Sequence, residues 1–417
     1  MTRVVRSLAA VLSLVAVAPL APLGAQGTPG SGTPIPPGIG ATPHPPAARI
    51  LVVDPTPGCR FASSLQQAVD LAGEGDILLV RAGTYSSFTI DGKSLAIFAE
   101  PGSGESDVRN LGVMNVVNLG PRQSVVVRGI RNGRVKLADN EGPVWLEGCR
   151  IDNGINGIDG LHVNEAVGVF GCTVTSTSSY TALRIAAGST FFTYGSFFRG
   201  QNGRDAYCPF YDCLAGYPAS PGGPGVLVNG LGQGYFFGSE LRGGSGGSGS
   251  YSVCYLGYDC GGPSAGSGAS LTASTGSAAT LMDSTLSAPP TGLGLITTLN
   301  GMVGQLSAEG PVVAGSSVLL DFTGPAGWNV FLTHSTRFSP QFVPDRNGYA
   351  VSNPDLTPTP VGTIGASGTL QVNFPVGSPS RGEGEVLYLQ AKLYDPVDGR
   401  AYYGAPSALL VFVDPCP

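Results

Sequence analysis

One short phrase recurs through the middle of this chain and limits its fold more than any other feature. It reads VWLEGCRI at Val144–Ile151, VGVFGCTV at Val167–Val174, FFTYGSFF at Phe191–Phe198, GYFFGSEL at Gly234–Leu241 and TLMDSTL at Thr280–Leu286. With Gly148, Gly171, Gly195, Gly238 and Asp283 taken as equivalent, the spacings are 23, 24, 43 and 45 residues, the last two enlarged by insertions. A β-rich unit this short cannot bury its apolar face alone, so successive units must stack and share a core.

Stacking turns each position of the phrase into a column, with neighbouring rungs about 4.8 Å apart. Cys149, Cys172, Ser196, Ser239 and Ser284 form a column of small residues, and Ile151, Val174, Phe198, Leu241 and Leu286 an apolar one. Strand alternation sends both inward. Trp145, Phe192 and Tyr235, with Glu147, Phe170, Tyr194 and Phe237 two positions on, alternate with Leu146, Val169, Thr193 and Phe236 and so lie outside. A bare aromatic face of that size is unusual on a protein surface, so the Cys-rich insertions and the C-terminal segment are expected to fold over it. Stacked Cys149 and Cys172 are close enough to bond, and a buried reduced pair fits the same column; the sequence leaves both open.

A second short strand precedes each phrase: VKL, LHV, LRI and VLV, with Lys136, His162, Arg184 and Leu227 as outward middle residues. Three cationic or titratable groups on successive rungs would suit a linear polyanion such as a uronic-acid or sulfated polysaccharide.

Residues 1–25 read as a secretory signal, with Arg3 and Arg6 before the apolar Leu8–Leu20 and Leu23-Gly24-Ala25 as the cleavage site. Its removal takes the net charge from −6 to −8, 20 basic residues against 28 acidic. So acidic a chain, with only Lys93, Lys136 and Lys392 as lysines, does not suit nucleic acid. No later run is long and apolar enough to span a membrane. Secretion favours disulfides, and Cys208, Cys213, Cys254 and Cys260 are the candidates, two in each insertion. Pairing within and between the insertions both remain open, as do the partners of Cys59 and Cys416. Residues 26–49 are a Pro/Gly-rich linker.

The segment Phe61–Tyr85 contains one amphipathic helix, with Leu65, Val69 and Ala72 on one side and Gly73 and Gly75 ending it. The pattern from Phe61 to Ala99, FxSxxxQAVDxAxxGDxxLVxxGTYxxFxIDGKSLxIxA, resembles the opening of right-handed parallel β-helix proteins of the pectin-lyase fold. The resemblance implies an all-β solenoid over residues 50–290, capped by the helix. The strands of residues 300–417 alternate apolar and polar residues between turn clusters, the pattern of an antiparallel β-sandwich. They resemble the small C-terminal β domains of many secreted bacterial β-helix proteins.

Proteins of this fold include glycoside hydrolases, which need converging carboxylates, and polysaccharide lyases, which can use an arginine base beside a partner that neutralises the substrate carboxylate. Asp152, Asp159 and Glu165, with Arg184 as base, are the candidates, but Asp152 and Asp159 occupy an Asn/Gly-rich turn that needs such residues for backbone reasons. The NTD, DD and GHG motifs of polygalacturonases and the calcium carboxylates of pectate lyases are absent. The expectation is therefore a secreted or envelope-surface, monomeric, non-catalytic scaffold, adhesive or binding acidic polysaccharide through Lys136, His162 and Arg184. No metal or cofactor is implied, and a lyase or hydrolase of the same fold is the alternative.

Overall fold

The computed structural model describes residues 48–413 apart from 56–60, 101–106, 158–165, 178–180, 187, 207–217, 250–251, 254–258, 261–263, 353–355 and 381. It is nearly all β. An eleven-stranded parallel sheet runs the length of the stack. Its strands include Ile50–Val53, Ile77–Val80, Leu95–Ala99, Val125–Arg128, Val144–Glu147, Val167–Phe170, Thr190–Tyr194, Gln233–Phe237, Ala278–Met282 and Leu295–Leu299. A fourteen-stranded sheet faces it, with two rows of short strands joined by the long strands Val108–Val117 and Arg131–Ala138. The core between the sheets contains Val144, Leu146, Ile151, Val169, Val174, Phe198, Phe236 and Leu241. The apolar column of the sequence points inward as expected. The stack also outlasts the legible repeat, because Leu295–Leu299 pairs in parallel with Ala278–Met282.

The equivalence of the glycines has a backbone cause. Gly148, Gly171, Gly195, Gly238 and Asp283 all have positive φ, between 51° and 62°. A Cβ at Gly148 or Gly171 would meet nothing within 4 Å, so conformation rather than space selects glycine there. Asp tolerates this region better than most residues, which accounts for Asp283. Each of these turns aims the next residue's amide along the stack. The Cys149 amide donates to Cys172 Sγ (3.3 Å), Cys172 to Ser196 Oγ (3.2 Å), Ser196 to Ser239 Oγ (3.3 Å) and Ser239 to Ser284 Oγ (3.1 Å). The column must therefore be small and must accept a hydrogen bond, which both Ser and Cys do. Cys149 and Cys172 are free and buried, and burial pushes the Cys172 thiol up.

The helix, Leu65–Leu71, closes the N-terminal end of the core with Leu65, Ala68 and Val69. Ser64 caps its start by accepting from the Gln67 amide (3.2 Å), and Lys93 Nζ donates to the Val69 and Ala72 carbonyls (2.9 and 2.8 Å) at its end.

The two insertions leave and rejoin the stack as glycine-rich segments, residues 200–206, 219–225, 243–249 and 264–270. Their lateral hydrogen bonds repeat every three residues. Gly200, Gly203 and Ala206 donate to Arg242, Ser245 and Ser248, while Gly244 and Gly247 donate to Gly223 and Ser220. A three-residue period without ladder pairing is the geometry of polyproline-II chains packed side by side. Their closeness excludes side chains: a Cβ at Gly244 would lie 1.8 Å from the Gln201 carbonyl oxygen. Gly244→Ala is expected to separate these segments, and limited proteolysis should show new cleavage between residues 200 and 270. Cys208, Cys213 and Cys254 lie outside the described residues, as do Cys59 and Cys416; Cys260 ends a short strand paired with Ser252–Val253.

Beside a hairpin of Gln341–Val343 and Gly348–Ala350, the chain beyond Leu299 forms two mainly antiparallel sheets. One contains Gln305–Ala308, Ser317–Thr323 and Thr369–Pro375; the other contains Val312–Val313, Ala401–Phe412, Gly384–Tyr394, Asn329–Ser335 and Thr359–Thr363. They share a buried cluster that includes Leu320, Phe322, Leu332, Leu389 and Leu409. The alternation expected of the strands in residues 300–417 needs correction at Ala401–Phe412. Leu409 and Val411 enter this cluster, whereas Ala408, Leu410 and Phe412 pack on the outer face of the stack, so Ala401–Phe412 is apolar on both sides.

Candidate functional site

The aromatic columns are covered by the C-terminal sheets. The Trp145 ring lies 4.2 Å from Phe170, 4.9 Å from Phe338 and 5.3 Å from Tyr388, centroid to centroid. Phe192 stacks on Tyr349 at 4.3 Å, and the Tyr349 amide donates to Tyr194 Oη (2.9 Å). Glu147 sits within this face as its ionic anchor. Its carboxylate accepts from Ser407 Oγ and the Ala408 amide (2.6 Å each) and from Trp145 Nε1 (3.0 Å), with Arg128 Nε 3.5 Å away. Arg128, on the adjacent rung, donates to the Ala408 and Ala308 carbonyls. This face is therefore given over to packing.

The accessible chemistry lies on the fourteen-stranded sheet. Lys136 and Arg184 are both half-buried and lie between inward neighbours, Val135 and Leu137 for the first and Leu183 and Ile185 for the second. Neither therefore points into the core. The rung between them differs from the sequence reading. Asn156, in the strand Ile155–Gly157, pairs in register with Lys136 on one side and Arg184 on the other. That strand follows directly from the turn at Asp152–Gly154, so LHV does not supply the rung. His162 lies outside the described residues, as do Asp159 and Glu165. The column runs Thr89, Asn115, Lys136, Asn156, Arg184, Leu227, Thr272 and Thr291. Asn115 Nδ2 donates to Thr89 Oγ1 (3.0 Å).

A second cationic column, missed in the sequence, occupies the other row of the same sheet. Arg109, Arg131 and Arg150 are register partners on successive rungs. Arg109 alternates with buried Val108 and Asn110, and Arg150 with buried Cys149 and Ile151, so these arginines face outward. Asp152 accepts from Arg131 Nε (2.7 Å) and Arg150 Nε (3.1 Å) and so braces two guanidinium groups. Arg131–Ala138 carries Arg131, Arg134 and Lys136 and thus joins the two columns, about 16 Å apart along the strand. The signal for this column was in the repeat: VVVRGIRN at Val125–Asn132 is one more copy of the phrase, with Gly129 at positive φ and Ile130 at the position that later rungs give to Cys or Ser.

Among the described residues no group of three His, Cys, Asp or Glu side chains could hold a metal ion, and no helix is long and apolar enough to cross a membrane. No protein-family model matches the chain, and no curated protein is significantly similar to it.

Proposed function

We propose that the chain is an exported, non-catalytic scaffold, a right-handed parallel β-helix with a C-terminal β-sandwich packed on one of its faces, which holds linear acidic polysaccharide along its cationic sheet. The observation that carries this reading is the pair of cationic columns joined by Arg131–Ala138 in a chain whose net charge without its signal is −8. With rungs about 4.8 Å apart, the Arg109, Arg131 and Arg150 column offers one cation per step to a polymer with evenly spaced anionic groups, and Lys136 and Arg184 lie two rungs apart across Asn156. The arginines suit bidentate contact with carboxylate or sulfate, and Lys136 acts as a point charge. In the register of the Lys136 column, Asn156 and Leu227 flank Arg184.

The test is a glycan array at two salt concentrations beside an ultraviolet assay for unsaturated sugar products. Binding to polyuronate or sulfated glycan that weakens with salt is expected. Lys136→Ala combined with Arg184→Ala should reduce affinity by about tenfold, each charge contributing on the order of 0.5–1 kcal/mol. Binding that ignores salt, or none, would remove the polyanion reading, and product formation would establish the lyase alternative.

A further inference from the structure

The two ends of the stack are finished differently. At the N-terminal end the helix Leu65–Leu71 lies over the core, and ion pairs Arg49–Asp76 and Arg81–Asp54 flank the first rungs. At the other end Thr285–Leu286, Thr291–Gly292 and Leu295–Leu299 are the last strands of their rows, each with one edge unpaired among the described residues. Leu286 and Ile296 pack against the core from this rung yet are only partly buried. Leu293 is 85% exposed, Leu295 67% and Met302 52%. From Ser284 to Ala308 the chain has no charged residue.

Soluble proteins blunt open sheet edges with charges, bulges or a covering element, and stacked-repeat proteins finish with a polar cap. The terminal rung has neither a charge nor a cover among the described residues. We propose that it is the contact surface of a two-fold symmetric homodimer. A two-fold axis normal to the eleven-stranded sheet sets Leu295–Leu299 antiparallel to its own copy, so the unpaired amides and carbonyls of each edge meet those of the other. Leu286 and Ile296 of the two cores then meet across the axis.

Charge selects a second copy as the occupant. Two chains of net charge −8 repel wherever their acidic surfaces approach, and this rung brings none of that charge into contact. Geometry then stops growth at two. The opposite end is closed by the helix, so the contact is the same patch on both chains and cannot propagate into a filament. This inference stands apart from polysaccharide binding, which uses the outward columns of a different sheet.

The test is light scattering coupled to size exclusion over a concentration series, using the chain from Gln26 onward. The expected result is a dimer mass that persists at raised salt. Leu295→Lys and Thr297→Lys, each at an exposed position, should shift the mass to monomer with an unchanged thermal melt by circular dichroism. A wild-type monomer at every concentration would overturn the proposal. So would a dimer that survives both substitutions, or a mass that grows without limit. A chain starting at residue 48 is the further comparison. If it dimerises while the longer chain does not, the N-terminal segment is the occupant and the proposal fails.

Discussion

Replacing Glu147 with alanine is expected to destabilise the protein by about 3–5 kcal/mol, because it leaves Arg128 as an uncompensated charge in a covered interface. The loss also strands three donors, Ser407 Oγ, the Ala408 amide and Trp145 Nε1, that the carboxylate now accepts. Urea unfolding followed by circular dichroism measures the change. The pair itself need not be strongly stabilising, since desolvation offsets much of its attraction. Arg128→Met combined with Glu147→Leu should therefore cost less than Glu147→Ala alone. A single substitution that costs less than about 1 kcal/mol would show that the C-terminal sheets do not rest on this face.

Trp145→Ala is expected to cost a similar about 3–5 kcal/mol through loss of buried surface and the cavity left behind. Trp145 is fully buried, with rings from both parts of the molecule against it, Phe170 from the stack and Phe338 and Tyr388 from the C-terminal part. Its indole also donates to Glu147, so the two sites are coupled. The double variant Trp145→Ala/Glu147→Ala should lose less than the sum of the single losses, whereas additivity would mean that the anchor and the aromatic row act independently.

These two residues show how far the sequence could be read. Trp145 and Glu147 fell on outward columns by alternation alone, and the need to cover so many aromatics pointed to a second layer. Periodicity made that legible, because one left-handed turn per rung keeps the strand register in phase. Phase was lost where chain length between turns varies. The short strand after Asp152 begins almost at once, so Asn156 rather than His162 fills the rung between Lys136 and Arg184. The Arg109, Arg131 and Arg150 column was hidden because the earlier rungs place Ile130 where later ones have Cys or Ser. The sequence marks the insertions only by their Cys pairs, since a three-residue period serves lateral packing and leaves no apolar pattern to find. In Ala401–Phe412 alternation disappears because both faces of the strand are covered.

The chain carries only three lysines, Lys93, Lys136 and Lys392, and this permits a direct test of the cationic sheet as a polyanion site. Lys93 is held at the helix end and Lys392 lies in the C-terminal sheets, so each serves as an internal control. Amine acylation at each lysine, followed by mass spectrometry with and without polygalacturonate, gives three rates from one sample. Selective slowing at Lys136, relieved by added salt, is the predicted result. Equal rates at all three lysines with saturating polymer, or slowing confined to Lys392, would contradict it.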